Sequence, residues 1–426
     1  MYRFVHLSIF LISTSFLFAQ DFNLTGAGAR AEGFGGAFIG LADDATAVVW
    51  NPAGLSQLER PEASIVARFI SNGAKYTDNF DASLNEDESQ SYFSFNFGSF
   101  ATPVSLSGLK IVAAIAYQRQ LDFYKKFKKE YRNPSNPSQL WTVNSDASGG
   151  ANTITPAIAL KLNPMISVGL SANIWTGSLN STDKMSVASI GFNGSYTENT
   201  ELNFTGFNFV LGGLADFESS SSRIPLKLGV TLKTPFTLSS DGTFKENDQI
   251  FTGTTDNYDV KQEIAMPFML GLGASYRIGD NFTIALDYEM RMYGDKEIST
   301  DAASKSSGLS GNSKEKISQS GNNLNEFRIG AEYLIVMEQG IIPLRLGFKT
   351  VPTPLSKQTY SAANGDYIPT SEQVSGSGIA IGSGYITDRF AIDVTLSSVA
   401  YTQEFDTDGK IDFSIGTLST SVIIYF

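Results

Sequence analysis

The feature that most constrains this chain is a two-residue alternation of apolar and polar side chains, recurring from about residue 63 to the end. Ile224, Leu226, Leu228, Val230 and Leu232 fall on one face, with Pro225, Lys227, Gly229, Thr231 and Lys233 on the other. Phe282, Ile284, Leu286, Tyr288, Met290 and Met292 alternate with Thr283, Ala285, Asp287, Glu289 and Arg291, and the stretches 342–349 and 389–397 behave alike. A period of two is that of a β-strand with one apolar face, and helical spacing is absent over the same windows. Past the N-terminus, no segment approaches the ~20 consecutive apolar residues of a membrane helix. Such a chain is either a soluble β-protein or one that crosses a membrane as a closed barrel.

The alternation predicts fourteen strands, near 63–72, 91–100, 109–121, 152–162, 165–178, 201–217, 224–238, 265–278, 281–293, 324–336, 341–350, 376–386, 389–401 and 410–426. Tight turns at Asn163-Pro164, Gly279-Asp280, Glu338-Gln339-Gly340 and Thr387-Asp388 alternate with long polar stretches near 73–90, 122–150, 179–200, 239–263, 294–323 and 351–375. An even strand number, short turns on one rim and long loops on the other is the pattern of an outer-membrane barrel. A β-sandwich also alternates, but one-sided long loops and a C-terminal aromatic, Phe426, favour the barrel. In the last strand the apolar residues change parity, from Phe413 and Ile415 to Val422, Ile424 and Phe426. A bulge near Gly416 is expected to reconcile them. The near-repeat Ile224-Pro-Leu-Lys-Leu-Gly229 and Ile342-Pro-Leu-Arg-Leu-Gly347 reads as shared strand grammar with proline at a strand entry, not as duplication.

Residues 1–20 carry one cation, Arg3, and then a mostly apolar run, which reads as a secretory signal peptide cut after Ala19 or Gln20. The single histidine, His6, would leave with it, taking away imidazole bases, histidine metal ligands and Ser-His-Asp catalysis. With no cysteine there is no disulfide or thiolate chemistry. A net charge of −12 argues against a nucleic-acid partner. The expectation is a protein that is not an enzyme and uses no cofactor or metal.

Residues 21–61 are unlike strand. Small residues dominate Thr25–Ser56, which suits a plug packed closely inside a lumen. The block resembles the N-terminal hatch of the FadL/TodX family of outer-membrane transporters for long-chain fatty acids and other hydrophobic compounds. The matching residues are Gly28-Ala29-Arg30, Gly35-Gly36-Ala37, Ala42-Asp43-Asp44-Ala45 and, most diagnostic, Asn51-Pro52-Ala53-Gly54-Leu55. Gly271-x-Gly-Ala-Ser-Tyr-Arg277, Ala285-Leu-Asp-Tyr288, Arg328-Ile-Gly-Ala-Glu-Tyr333 and Leu344-Arg-Leu-Gly347 are similar to the same family.

The resemblance implies an all-β, fourteen-stranded antiparallel transmembrane barrel at 62–426 with the hatch at 21–61 in its lumen. It also implies a monomer in the Gram-negative outer membrane, among lipid and lipopolysaccharide, and inserted by the barrel assembly machinery. A hydrophobic ligand would be captured by outer loops, pass to an apolar lumen pocket and leave sideways beside the hatch, without an energy source. Trp50, Asn51, Pro52, Ala53, Gly54 and Phe38 are the candidate channel and hatch residues, with Asn51-Pro52-Ala53 either lining or gating the pocket or serving only as a structural turn.

The alternative is a shuttle barrel of a type IX secretion system, which shares this block and binds protein signal domains. Gly26-x-Gly28-x-x-Ala31 lacks the preceding strand of a dinucleotide site. Asp43-Asp44 is expected to cap a helix or meet Arg30, and Lys125-Lys126-Phe-Lys128-Lys129 to be a solvated loop or a grip on lipopolysaccharide phosphates. The acidic run Glu86-Asp87-Glu88 lacks ordered calcium-ligand spacing.

Overall fold

The computed structural model describes residues 26–426 except 80–84, 107–108, 134–135, 190–191, 220–222, 251, 295–296, 305–311, 319–322, 362–365 and 406–408. The expected signal peptide at 1–20 lies outside the described residues.

Fourteen strands make the wall: β1 Glu62–Asp78, β2 Glu86–Leu106, β3 Leu109–Asp122, β4 Asn136–Lys161, β5 Ile166–Ser189, β6 Phe192–Asp216, β7 Leu226–Lys233, β8 Phe268–Ile278, β9 Phe282–Met292, β10 Leu324–Met337, β11 Gly340–Ser361, β12 Asp366–Ile386, β13 Phe390–Phe405 and β14 Gly409–Tyr425. Each pairs antiparallel with the next, and β14 closes on β1 from Glu62↔Tyr425 to Asp78↔Gly409. All fourteen strands expected from the alternation are present. Closure is what makes strands viable in lipid, because it leaves no row of unpaired amides and carbonyls facing hydrocarbon.

The alternation sorts each strand into lipid and lumen faces. On β9, Leu286 faces outward while Ala285, Asp287, Glu289 and Arg291 are buried inside. Outward residues such as Ile65, Ile158, Leu211, Leu272, Ile329, Leu346, Ile381 and Leu396 form an apolar belt. Aromatic pairs edge it: Phe100 with Phe426 and Tyr385 with Phe390 toward the short turns, Phe95 with Tyr117 and Tyr288 with Phe327 further out. Amphipathic rings favour such interfacial positions.

Two expectations need correction. The long polar stretches are largely ladder rather than loop. β5 and β6 pair from Ile166↔Ala215 out to Ser189↔Phe192, and further strands lie at Lys125–Asn133, Phe236–Asp248, Thr255–Met266, Glu297–Ser304 and Asn312–Ser318. Apolar alternation ends where lipid ends, but backbone pairing needs no apolar face, so the strands continue unseen by the pattern. The bulge near Gly416 is also absent, since β14 keeps unbroken register with both neighbours. Odd residues face inward throughout, so Phe413 and Ile415 are lumen residues, packed beside Val351, Val374, Val399 and Tyr401. Their parity differs because the outer lumen is itself apolar there.

Residues 26–58 fill the lumen as two short helices, α1 Ala29–Gly33 and α2 Ala47–Trp50, and a 3-10 turn, Pro52–Gln57. Phe34, Phe38, Val48, Trp50 and Leu55 pack with Val66, Phe97, Val112 and Ala285 of the wall.

Leu346→Arg sets a cation on the lipid face of β11 at a side chain now 66% exposed. It is expected to destabilise the barrel by about 2–4 kcal/mol. Tyr360→Arg, on the outer part of the same strand, should stay within about 0.5 kcal/mol of the parent protein. Urea unfolding in lipid vesicles measures both.

Candidate functional site

A segment with so little regular structure leaves most of its backbone polar groups without internal partners, and inside a barrel the wall must satisfy them. The Phe38 and Ile39 amides donate to Asp287 Oδ2 at 2.7 and 2.8 Å. Thr395 Oγ1 donates to Ala29 O at 2.6 Å, Ser171 Oγ to Val48 O at 2.8 Å and Ser275 Oγ to Gly40 O at 3.1 Å. These contacts come from β5, β8, β9 and β13, so the hatch is held from opposite sides of the wall. Close approach is possible because the wall carries glycine where the hatch touches it. A Cβ at Gly347 would lie 2.0 Å from the Gly35 amide nitrogen, and one at Gly169 would lie 2.3 Å from Pro52 C.

Asp43 pairs with Arg30, whose Nε also lies 3.7 Å from Glu332, and Asp44 accepts from the Thr46 amide at 2.8 Å and from its hydroxyl. The acidic pair therefore has the structural role expected of it. Among the described residues no group of side chains is arranged to hold a metal ion.

Asn51 is fully buried. Its Nδ2 donates to Ile39 O at 2.9 Å and to Gly213 O on β6 at 3.1 Å, while Oδ1 accepts from the Ala53 amide at 3.2 Å. Pro52, Ala53 and Gly54 continue this turn against β5 and β6, away from open space. Phe38 lies in the hatch core between Phe34 and Trp50. Of the six candidate residues, Trp50 lines a void described below: its Nε1 donates to Ala27 O at 2.8 Å and its ring faces the lumen.

That void, of roughly 110 Å³, lies between hatch and wall. Trp50, Ala380, Val399 and Ile415 give it apolar surface, and Arg68, Arg328, Lys349 and Glu32 give it charge. Arg68 is paired with Glu32. Arg328 belongs to a buried lattice in which its Nη2 and Arg291 Nη2 reach Glu326 Oε2 at 2.8 and 2.6 Å, yet Arg328 Nη1 has no hydrogen-bond partner. Lys349, opposite Arg328 in register, makes no ion pair among the described residues. Alternation had marked Lys349 as a polar-face residue, and Arg328 opened one of the family-similar pieces; which of them would be left over after pairing was invisible without the lattice.

A second void, roughly 70 Å³, opens further out, where Phe127, Tyr401, Phe413 and Ile415 meet Lys125, Lys126 and Glu88. Burial lowers the Lys125 ammonium from its ordinary value, and Asp183 and Glu88 oppose that shift. Two other lysines of this run sit with carboxylates, Lys126 near Asp146 and Lys128 near Glu130.

The wall also carries a seam. β2 and β3 pair only from Phe97↔Gln118 to Leu106↔Leu109. Further out they part, with Asn96 an extra residue against β1 and Gln120 an extra residue against β4. Side chains bridge the seam, Ser94 Oγ donating to Asp122 Oδ2 at 2.7 Å. Ser94 is the cross-strand neighbour of Arg68, so the seam adjoins the void above the hatch.

A closed fourteen-stranded barrel with a lipid belt and a side-chain-anchored plug defines a plugged outer-membrane barrel. Residues 10–410 match the family model described as outer membrane protein transport protein (OMPP1/FadL/TodX). The chain belongs to that family. Solved structures share the fold at low identity. A Pseudomonas aeruginosa FadL homologue matches at 12% identity and TM-score 0.64, over 94% of this chain and 98% of that one. The P. putida toluene transporter TodX matches at 14% and 0.64, over 95% and 99%. The Ralstonia pickettii toluene transporter TbuX matches at 15% and 0.58, over 95% and 100%. No curated protein sequence matches the chain.

Removing the Asp287 carboxylate strands two hatch amides, and Asn51→Ala strands two carbonyls. Each buried orphan costs about 1–3 kcal/mol, so Asp287→Ala and Asn51→Ala are expected to loosen the hatch without unfolding the barrel. Open-channel conductance in planar bilayers should rise in both, with heat-dependent gel mobility unchanged.

Proposed function

We propose that the protein is a passive channel that takes hydrophobic compounds with an anionic head, long-chain fatty acids foremost, across the outer membrane. The observation that carries this reading is the void above the hatch, where the Trp50, Val399 and Ile415 surfaces sit beside the unpaired Lys349 and Arg328 Nη1. Each methylene moved from water onto such surface is worth ~0.8 kcal/mol. A carboxylate could follow its chain into a partly buried place only where donors or cations meet it. A site for a neutral hydrocarbon would have no use for two cationic groups. No energy source is needed, because the solute moves down its own gradient through progressively drier surfaces.

Release is assigned to the β2–β3 seam. It is the place where the wall ladder is interrupted beside the void, and a ligand leaving there would enter lipid directly without crossing the hatch.

Uptake of labelled oleate by a Gram-negative strain lacking its own transporter is expected to return with this protein, and failure from a folded barrel would overturn the reading. In a Trp141→Phe/Trp175→Phe background, dibrominated stearate should quench Trp50. Lys349→Gln is expected to weaken binding of the acid about tenfold while sparing its methyl ester. Because the chain has no cysteine, Ser94→Cys/Asp122→Cys joined by a short thiol cross-linker tests release. Uptake should stop while Trp50 quenching persists, and unchanged uptake would place the exit elsewhere.

A further inference from the structure

We propose that the head-group site over the hatch is shaped for a tetrahedral oxyanion, so that the preferred amphiphile carries a sulfate or phosphate ester and a fatty acid, though carried, is its weaker ligand. This rests on the uptake reading above and adds the class of head group.

A carboxylate presents two oxygens in one plane, and Lys349 with Arg328 Nη1 is enough to meet them. The void holds more donors than that. Arg68 spends Nη2 on Glu32, whose other oxygen accepts from Ser419 Oγ, and Arg68 Nε is left without a partner. Ser397 of β13 and Thr417 of β14 stand directly opposite in register on the void wall. Neither hydroxyl makes a hydrogen bond among the described residues.

These groups come from several directions. The Lys349 stem lies across Gly378 of β12, where a Cβ would sit 3.1 Å from Cγ and 3.2 Å from Cε. Gly378 separates Lys349 from β13 in register, so the ammonium is carried toward Ser397. On the hatch floor Gly36 takes φ +84°, and a Cβ there would press on Arg328 Cδ at 3.1 Å and the Trp50 ring at 3.3 Å. Val399 and Ile415 lie one step further out on the faces that carry Ser397 and Thr417, so a chain resting on them points its head at the donors. A sulfate or phosphate ester spreads three terminal oxygens in a cone and meets donors on both sides of the void together, which a planar head does not. Donors left unmet in a dry place are unfavourable, so the third oxygen strengthens binding.

The test displaces dibrominated stearate from the full-length barrel in vesicles and reads the return of Trp50 emission, in the Trp141→Phe/Trp175→Phe background. Tetradecanoate, tetradecyl sulfate and tetradecyl phosphate are compared at equal membrane loading and about pH 8.5, where all three heads are ionised. Both esters are expected to displace at about tenfold lower loading than tetradecanoate, the gain of one further charge-assisted hydrogen bond. Ser397→Ala/Thr417→Val, shown folded by heat-dependent gel mobility, should bring the esters to the tetradecanoate level and leave tetradecanoate unchanged. Lys349→Gln should weaken all three. Tetradecanoate as strong as both esters in the parent protein overturns the proposal and leaves the channel reading standing, and this comparison does not depend on any variant. An ester preference that survives loss of both hydroxyls also overturns it. Sodium sulfate or inorganic phosphate displacing stearate as well as the esters would mean a site for the ion without the chain, which overturns it too. Stearate that never quenches Trp50 in a folded barrel brings down the channel reading, and the proposal with it.

Discussion

Everything in this structure depends on the ladder closing between β1 and β14. Lipid offers no hydrogen bonds, so a strand can cross it only if both of its edges are paired, and the fourteenth strand returns to the first over the whole length of β1. Closure at this strand number has a price inside. Eight strands leave a lumen that side chains fill, whereas sixteen or more leave a water channel; fourteen leave a space that wall side chains do not fill alone. The hatch occupies the near half of that space, and its own lack of regular structure makes it dependent on wall groups such as Asp287, Thr395 and Ser171.

The charged lumen rows follow from the same geometry. Arg345 reaches Glu332 and Asp393 at 2.6 Å each, and Arg291 and Arg328 share Glu326. Buried pairs of this kind are weak evidence for stability, since desolvation offsets much of their attraction. What they do here is geometric. They span the lumen face of β9, β10, β11 and β13 around the hatch, and Arg30 brings the hatch into the same lattice through Glu332. Removing one partner would leave an uncompensated charge in a dry place, so the lattice fixes the register of hatch against wall.

The wall was legible in the sequence because lipid imposes a strict alternation, and Leu286 against Asp287 is a typical instance. The outer hairpins were not, because beyond the lipid nothing forces an apolar outer face, and the buried inner positions there, Met185, Val187, Tyr196 and Glu198, mix apolar with polar side chains. The parity change at Phe413 was legible as a signal but open to two causes. A bulge and an apolar lumen produce the same string, and only the register with β1 and β13 separates them. The hatch block was visible as small residues and as a resemblance, and the later similar pieces turn out to be its seat. Gly273, Asp287, Gly330 and Gly347 all meet hatch backbone. The positions of Lys349 and Phe127 relative to open space had no signal, since each is one polar or aromatic residue among many on its strand.

The lumen is chemically divided around its circumference, and this division bears on direction of travel. On the β3–β6 side, Gln118, Asn173 and Asn208 carry a file of side-chain amides, with Asn173 Nδ2 donating to Asn208 Oδ1 at 3.2 Å and Trp175 Nε1 to the same oxygen at 2.8 Å. On the β11–β14 side, Val351, Val374, Val399, Ile415 and Phe413 make the wall dry. An acyl chain on the amide side would have to displace bonded partners, while on the dry side it displaces only water from apolar surface. The free-energy difference per methylene favours the dry strip at every step between mouth and hatch. The strip ends at Trp50, Arg68 and Arg328, where charge replaces apolar wall and the neighbouring ladder between β2 and β3 is open. On the proposed reading, a chain that came this far would meet the β2–β3 seam beside the cations that hold its head group, already oriented to enter the leaflet.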